Sequence, residues 1–366
     1  MTDLSPRAAP ASPSFGELHR TLRQHPGDRA TLQRLAQMAL QVEFATIPVY
    51  LTGMYSIADT ASAAYQTLRS VVIEEMFHLN LAANLVVGLG ALPKFSGSAA
   101  PVYPGPMPGA NPATTPMIGL FRASPAVFSN VYAAIERPAP PDAPAQDDHF
   151  DTIAQLYLAL RDGILQSPED PFQHPGGEGR QRTDIYIGAF GGETRPIVDR
   201  DAALFAIQQI VQQGEGVITR NGQPMDSTEP FGAYNHYGRR SDGTYGPILG
   251  TPLELSHFIK FREISLSQSP FPATLPMTSN PDASQFTNPE AQRLAATFDE
   301  AYSLMLHAFE RAFMAGGGDP YFSVVLNLMH AVLPSLAVQL MSTPAHVGGD
   351  SKVGPNAAPC WRYREG

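Results

Sequence analysis

Apolar residues recur at three- and four-residue spacing from Arg29 to Ser56, through Leu32, Leu35, Met38, Ala39, Val42, Ala45 and Val49. That period predicts a long helix. Pro48 lies inside it, removes one backbone hydrogen bond and crowds the carbonyl of Phe44, so a kink is expected one turn past Glu43. Residues 60–91 carry a second helical stripe: Leu68, Val71, Glu75, His78, Ala82, Leu85 and Leu89. Glu74, about 100° around the axis from Glu75, is expected to point elsewhere. A third helix is predicted over 199–217. A fourth is predicted over 251–267, with Thr251 as N-cap and Pro252 in first position. Two more follow, at 288–315 and 321–341.

Between these periodic stretches the pattern breaks down. Twelve prolines fall between Pro93 and Pro144, so residues 92–198 read as a long Pro-rich insertion. Within it, a short helix is expected around Pro125 to Ile135, and another from Phe150 to Leu165 outside the metal-binding set. Thr183 to Ala189 is expected as a short strand. Residues 218–250 form a Gly- and Tyr-rich loop. Its Tyr234, His236, Tyr237 and Tyr245 are candidates to cover a pocket, with ordinary loop packing as the alternative. Residues 1–27, with prolines at 6, 10, 13 and 26, read as an irregular leader without an apolar run of signal-peptide type. The stretch 321–341 is apolar enough to raise a membrane question. Asn327, His330, Pro334 and Gln339 interrupt it and favour a buried core helix. The picture is an all-α chain, a single domain over 1–366 whose four-helix bundle is joined by C-terminal helices over 288–341.

Two glutamate–histidine patterns stand out against these apolar faces. Glu43 is followed by Glu75 and His78, and Glu215 by Glu254 and His257. A carboxylate on an apolar face costs several kcal/mol unless an opposite charge is supplied. Four glutamates balance two divalent cations. In each half a lone glutamate precedes a Glu-x-x-His pair by one helical hairpin, 32 residues in one case and 39 in the other. That order is what a four-helix bundle needs to hold two metal ions at its centre. We therefore take Glu43, Glu75, His78, Glu215, Glu254 and His257 as the candidate ligands. Carboxylate oxygens with two imidazoles suit iron first and manganese second. Each imidazole needs an acceptor for its other N–H. Gln212, one turn before Glu215, is a candidate, with a solvent-facing role as the alternative. Gly214 and Gly216 flank Glu215, either as a helix terminus or as a loosened backbone that lets Glu215 move.

Composition narrows the function classes. Charged residues make up 16%, the net charge is −10, and no Lys/Arg-rich run occurs, which argues against a nucleic-acid partner. The single cysteine, Cys360, excludes an intramolecular disulfide and a thiolate-rich metal site. A cytoplasmic, non-membrane protein is expected, with homodimerisation through the apolar late helices.

Four strings carry a family resemblance: Val42-Glu43-Phe44-Ala45-Thr46-Ile47-Pro48-Val49-Tyr50-Leu51, Ile73-Glu74-Glu75-Met76-Phe77-His78, Gln213-Gly214-Glu215-Gly216 and Leu255-Ser256-His257-Phe258-Ile259-Lys260-Phe261. They resemble the ferritin-like domain of the iminophenyl-pyruvate dimer synthases, the group that oxidatively couples two tryptophan-derived imines in violacein and rebeccamycin biosynthesis. Ala134-Ile135-Glu136-Arg137-Pro138 and Gly354-Pro355 also fit. The resemblance covers roughly residues 30–365 and implies a ferritin-like bundle with the six ligands named above. Relatives tend to carry an acidic residue where Gln155 stands, which sets 150–165 apart from the third bundle helix. The expected function is a non-haem di-iron oxidase or oxygenase that uses O2 on a small organic metabolite, amino-acid-derived or aromatic, in secondary metabolism. The alternatives are a non-catalytic partner or scaffold that keeps a metal pair, and iron oxidation with storage.

Overall fold

The structure is a computed structural model, and it describes residues 13–138, 149–172, 180–184, 192–215, 255–316 and 320–365. Its centre is a hairpin of two long helices, α2 (Arg29–Ser56) and α3 (Ala63–Gly88). Asp28 caps the first through the backbone N–H of Thr31, and Ser62 caps the second through that of Tyr65. From Val42 to Ser56 every residue of α2 is buried, as is nearly every residue of α3 from Val71 onward. These are core helices, so their polar residues have to find partners inside the protein. Pro48 stays within α2 without ending it, and the Tyr103 hydroxyl donates to the Ala45 carbonyl at 2.7 Å one turn before it.

A third helical track runs antiparallel to α2 in two pieces. The first is α4 (Pro125–Ile135), with Ser124 as N-cap and a π turn at Phe128–Tyr132. The second is α5 (Ile153–Leu165). The Ala123 N–H donates to the Ser56 hydroxyl, which sets the start of α4 beside the end of α2. Gly163 is pressed against Leu22 and Leu32, which sets the end of α5 beside the start of α2. The fourth track, antiparallel to α3, is also in two pieces: α6 (Arg200–Gly214) and α7 (His257–Leu266). Gly88 lies against the backbone of Ile197 just before α6, so a Cβ there would meet the Ile197 carbonyl oxygen at 2.8 Å. The four-helix bundle therefore has two continuous members and two interrupted ones.

Several sequence expectations are corrected here. The fragment 150–165, set outside the bundle, packs on both α2 and α6 and completes the third track. Much of the supposed insertion is thus bundle. The fourth helix starts at His257 rather than Thr251, because the Ser256 side chain caps it by accepting the Ile259 N–H. Residues 216–254 lie outside the described residues, and with them Gly216, Glu254, the Tyr-rich loop and the 251–252 cap. The third helix ends at Gly214 with Glu215 as C-cap, in line with the terminus reading of that Gly-rich string. The supposed leader contains α1 (Phe15–Gln24), held by a reciprocal capping box between Ser14 and Glu17. Phe15, Leu18 and Leu22 are its buried side. The strand expected at Thr183 to Ala189 lies mostly outside the described residues, and Thr183 and Asp184 themselves are irregular.

Outside the bundle, α8 (Pro289–Ala315) and α9 (Pro320–Met341) pair with each other, and the later turns of α9 touch α2. Helix α9 is not the buried core helix expected. Only 33% of its most apolar window is buried, and Val324 and Val338 are exposed. By length and composition α3 and α9 are both apolar enough to cross a membrane, but 89% of the α3 window is inside this fold. The C-terminal segment docks through Trp361, whose indole N–H donates to the Thr52 hydroxyl at 2.9 Å while its ring meets Phe298 and Tyr302 edge-on.

Candidate metal centre

The core hairpin supplies Glu43 from α2 and Glu74, Glu75 and His78 from α3, all almost fully buried. The two interrupted tracks break at this same level. Their broken ends deliver Glu136, just after α4, and Gln213 and Glu215 at the end of α6. They also deliver His257 at the start of α7. A break in a helix frees a residue from the 3.6 period, so a carboxylate can turn inward where a continuous helix would hold it at a fixed angle.

Glu75 lies between the two imidazoles. Its Oε1 is 2.8 Å from His257 Nδ1 and its Oε2 is 4.0 Å from His78 Nδ1. His78 Nδ1 is also 3.6 Å from Glu43 Oε2, and His257 Nδ1 is 3.7 Å from Glu136 Oε2. The two rings stack at 5.3 Å between centroids. Donor atoms of Glu75, His78 and His257 all lie within 4.8 Å of one another. Of the six residues singled out by sequence, the structure thus gathers Glu43, Glu75, His78 and His257. Glu215 is buried nearby in sequence to Gln213, and its Oε1 accepts the Ala154 N–H at 2.6 Å at the start of α5. Glu254 lies outside the described residues.

Four participants escape the sequence reading. Glu136 accepts a hydrogen bond from the Tyr50 hydroxyl and joins His257. Gly214 passes close to it: a Cβ there would come within 3.3 Å of Glu136 Oε2, so the glycine leaves room for this carboxylate. Gln213, rather than the exposed Gln212, meets His78, with Oε1 2.8 Å from Nε2. Glu74 does not point away into an indifferent face: its Oε2 is 2.8 Å from His257 Nε2. Lys260, one turn along α7, donates to Glu74 Oε1 at 2.8 Å. The available signals were a second glutamate in a helix without a solvent face, a lysine inside the apolar string His257–Phe261, and Glu136 closing an apolar helix.

These partners decide which imidazole nitrogen faces the cluster. An amide oxygen and a carboxylate only accept, so Nε2 of both histidines must carry a proton. Both Nδ1 atoms are then directed at the carboxylates, with a lone pair available whenever the ring is neutral. Burial opposes charge on His257, yet the carboxylates of Glu136, Glu74 and Glu75 raise its pKa well above the ordinary histidine value. Burial likewise opposes charge on His78, and Glu43 and Glu75 overcome it. For Glu75 itself, burial and then the neighbouring Glu136 raise the pKa. Glu74 is held low against its burial by Lys260 and His257. Burial and then the nearby Glu43 carboxylate raise the Tyr157 phenol.

The set could hold a metal ion by a structural criterion. Glu43 Oε1 is fully buried and makes no hydrogen bond, and His257 Nδ1 faces only carboxylate oxygens, of Glu75 at 2.8 Å and Glu136 at 3.7 Å. A buried carboxylate oxygen without a partner is uncommon, and a cation beside it would satisfy it. Glu43, Glu75 and Glu136 with two imidazoles form an oxygen-rich donor set of the kind iron and manganese take, while Lys260 already balances Glu74.

A family model described as Ferritin-like matches residues 36–266. The 2-imino-3-(indol-3-yl)propanoate dimerase of Chromobacterium violaceum is 25% identical over 355 residues, covering 86% of this chain and 31% of that protein. The chain thus spans less than a third of the length of this relative, whose name bears out the resemblance drawn from the four strings. A ferritin-like protein from Caulobacter vibrioides, known by crystal structure, superposes with a TM-score of 0.58 at 23% identity, over 91% of this chain and 97% of that one. That likeness shows a common fold.

Proposed function

The chain belongs to the Ferritin-like family, and from that premise we propose that it is a dinuclear-metal oxidase or oxygenase acting on a small organic metabolite. One observation carries the reading: two buried imidazoles turn Nδ1 toward a carboxylate that lies between them. Glu75 offers one oxygen to each side. Glu43 and His78 would hold one ion, and Glu136 and His257 the other, with Glu215 and Glu254 as further donors. Iron is the preferred metal. A ferrous pair supplies the electrons for dioxygen reduction. The protein's own part is to keep the cluster dry and to fix both imidazole tautomers through Gln213 and Glu74. Tyr50 holds Glu136 in place through its hydroxyl.

The substrate class we favour is an imine or related derivative of an aromatic amino acid, because the curated relative is named for such a compound. A second reading is a non-catalytic partner that keeps the metal pair.

Metal analysis of the purified protein beside a Glu75→Ala/His257→Ala variant is the test. About two iron or manganese ions per chain, lost in the variant, and rapid oxidation of the ferrous protein by O2 are expected. Absence of metal after anaerobic reconstitution would overturn the metal reading. Bound iron inert to O2 would favour the partner.

A further inference from the structure

Behind the wall formed by α2 and α3, away from the carboxylates, the structure contains an apolar cavity. It is bounded on the far side by residues of α8 and α9 and by Trp361. Three of its lining residues are the immediate chain neighbours of candidate ligands: Phe44 follows Glu43, Met76 follows Glu75, and Leu79 follows His78. Successive residues on a helix are turned by about 100°, so the cavity and the metal cluster occupy adjacent faces of the same two helices. Met305 and Met329 line the opposite side. The room for a water-sized sphere is about 30 Å³. One water-sized occupant needs roughly 10–15 Å³ on that measure, so the space suits an object about two atoms long. It is too small for an aromatic metabolite. The lining gives water almost nothing to bond, and cavities of this type stay dry and take up apolar guests.

We propose that this cavity is a holding site for dioxygen beside the metal centre. An apolar diatomic gas matches both its size and its lining, and Phe44, Met76 and Leu79 place it on the α2 and α3 faces next to those that carry the ligands. The proposal rests on the reading of the site as one that consumes O2. Its first test does not, because xenon reports apolar cavities without any metal.

Crystals of the metal-free protein pressurised with xenon should show xenon between Met76, Leu79 and Met305. In Met305→Phe and Met329→Trp, two fillings from the outer wall, the xenon site should vanish. After ferrous loading, the rate of oxidation by O2 should fall several-fold in both while iron content and final extent of oxidation stay at wild-type levels. Thermal unfolding of each variant shows that it is folded, and two variants guard against one that overpacks. No xenon in the wild type overturns the cavity as a gas site and leaves the metal reading standing. Xenon displaced with no change in oxidation rate overturns its role in O2 supply. A wild-type ferrous protein inert to O2 overturns the oxidase reading and the proposal with it.

Discussion

Lys260 is the most informative single residue to remove. It is 2% exposed, its ammonium group lies 2.8 Å from Glu74 Oε1, and Glu74 is itself 1% exposed. At an effective dielectric of about 20, charges at that separation attract by roughly 6 kcal/mol, much of it offset by their desolvation. Breaking such a pair by removing one partner costs about 3–5 kcal/mol because the other charge is left buried. In Lys260→Met the stranded Glu74 keeps one companion, His257, whose raised pKa makes it cationic in the metal-free protein. The loss in thermal or urea stability should therefore fall near the lower end, about 3 kcal/mol. With metal bound, His257 is neutral and that companion is lost. Glu74 then binds a proton and backs the imidazole less strongly, so affinity for ferrous or manganous ion should fall about 10–100-fold, as for other changes to groups behind a ligand. Adding Glu74→Gln separates the two effects. The double variant Glu74→Gln/Lys260→Met should regain much of the stability, since no charge is stranded, but none of the affinity. Unfolding curves of the metal-free proteins and chelator-competition titrations read the two quantities. If the double variant loses the sum of the single-variant stabilities, or if Lys260→Met binds metal like the wild type, the assigned relay is refuted.

The remaining predictions address other parts of the site and the wall around it. Raised pKa values on His78, His257 and Glu75 mean that protons occupy the metal-free cluster near neutrality and must leave on binding. Lower pH therefore favours the metal-free form, and affinity should rise with pH through the neutral range. Calorimetry in two buffers of different ionisation heat should detect proton release, and binding without release would contradict the arrangement. Gln213→Leu should weaken metal binding by about 10-fold or more, whereas Gln212→Leu on the exposed side of α6 should leave it unchanged. Equal effects would refute the assignment. Gly53→Ala should destabilise by about 1–3 kcal/mol despite the better helix propensity of alanine, because the new Cβ would collide with the Tyr132 hydroxyl. Thermal unfolding should show partial rescue in Tyr132→Phe.

The core hairpin was legible because helical period, apolar faces and buried glutamates coincide on α2 and α3, so pattern and chemistry point to one arrangement. The opposite side of the site was less so. Glu136 stands one residue past a short apolar helix within a proline-rich region, and no period links it to Glu215 or His257. Its place depends on α4 and α5 lining up end to end along α2, which is set by tertiary contacts such as Ala123 to Ser56 and Gly163 to Leu32. The start of the last bundle helix has a local cause that the apolar pattern does not show: Ser256 is a good N-cap and begins the helix at His257. Gln212 takes the solvent-facing role weighed for it, and the imidazole partner is Gln213, one position further on. Helical phase can decide between neighbours only when the helix axis is already placed.

The interruption of two tracks also bears on the order in which the protein assembles. Glu43, Glu74, Glu75 and His78 all lie within the contiguous hairpin of α2 and α3, whose contacts are local along the chain. Glu136, Gln213, Glu215 and His257 arrive from positions that are separated by long intervening segments. Closing those loops costs chain entropy that the hairpin does not incur, and contacts between distant positions form more slowly. The hairpin should therefore act as an early template carrying Glu43, Glu75 and His78, on which the later segments settle one after another during synthesis. Insertions between α4 and α5, or between α6 and α7, would lengthen the wait for a complete cluster without disturbing the template itself.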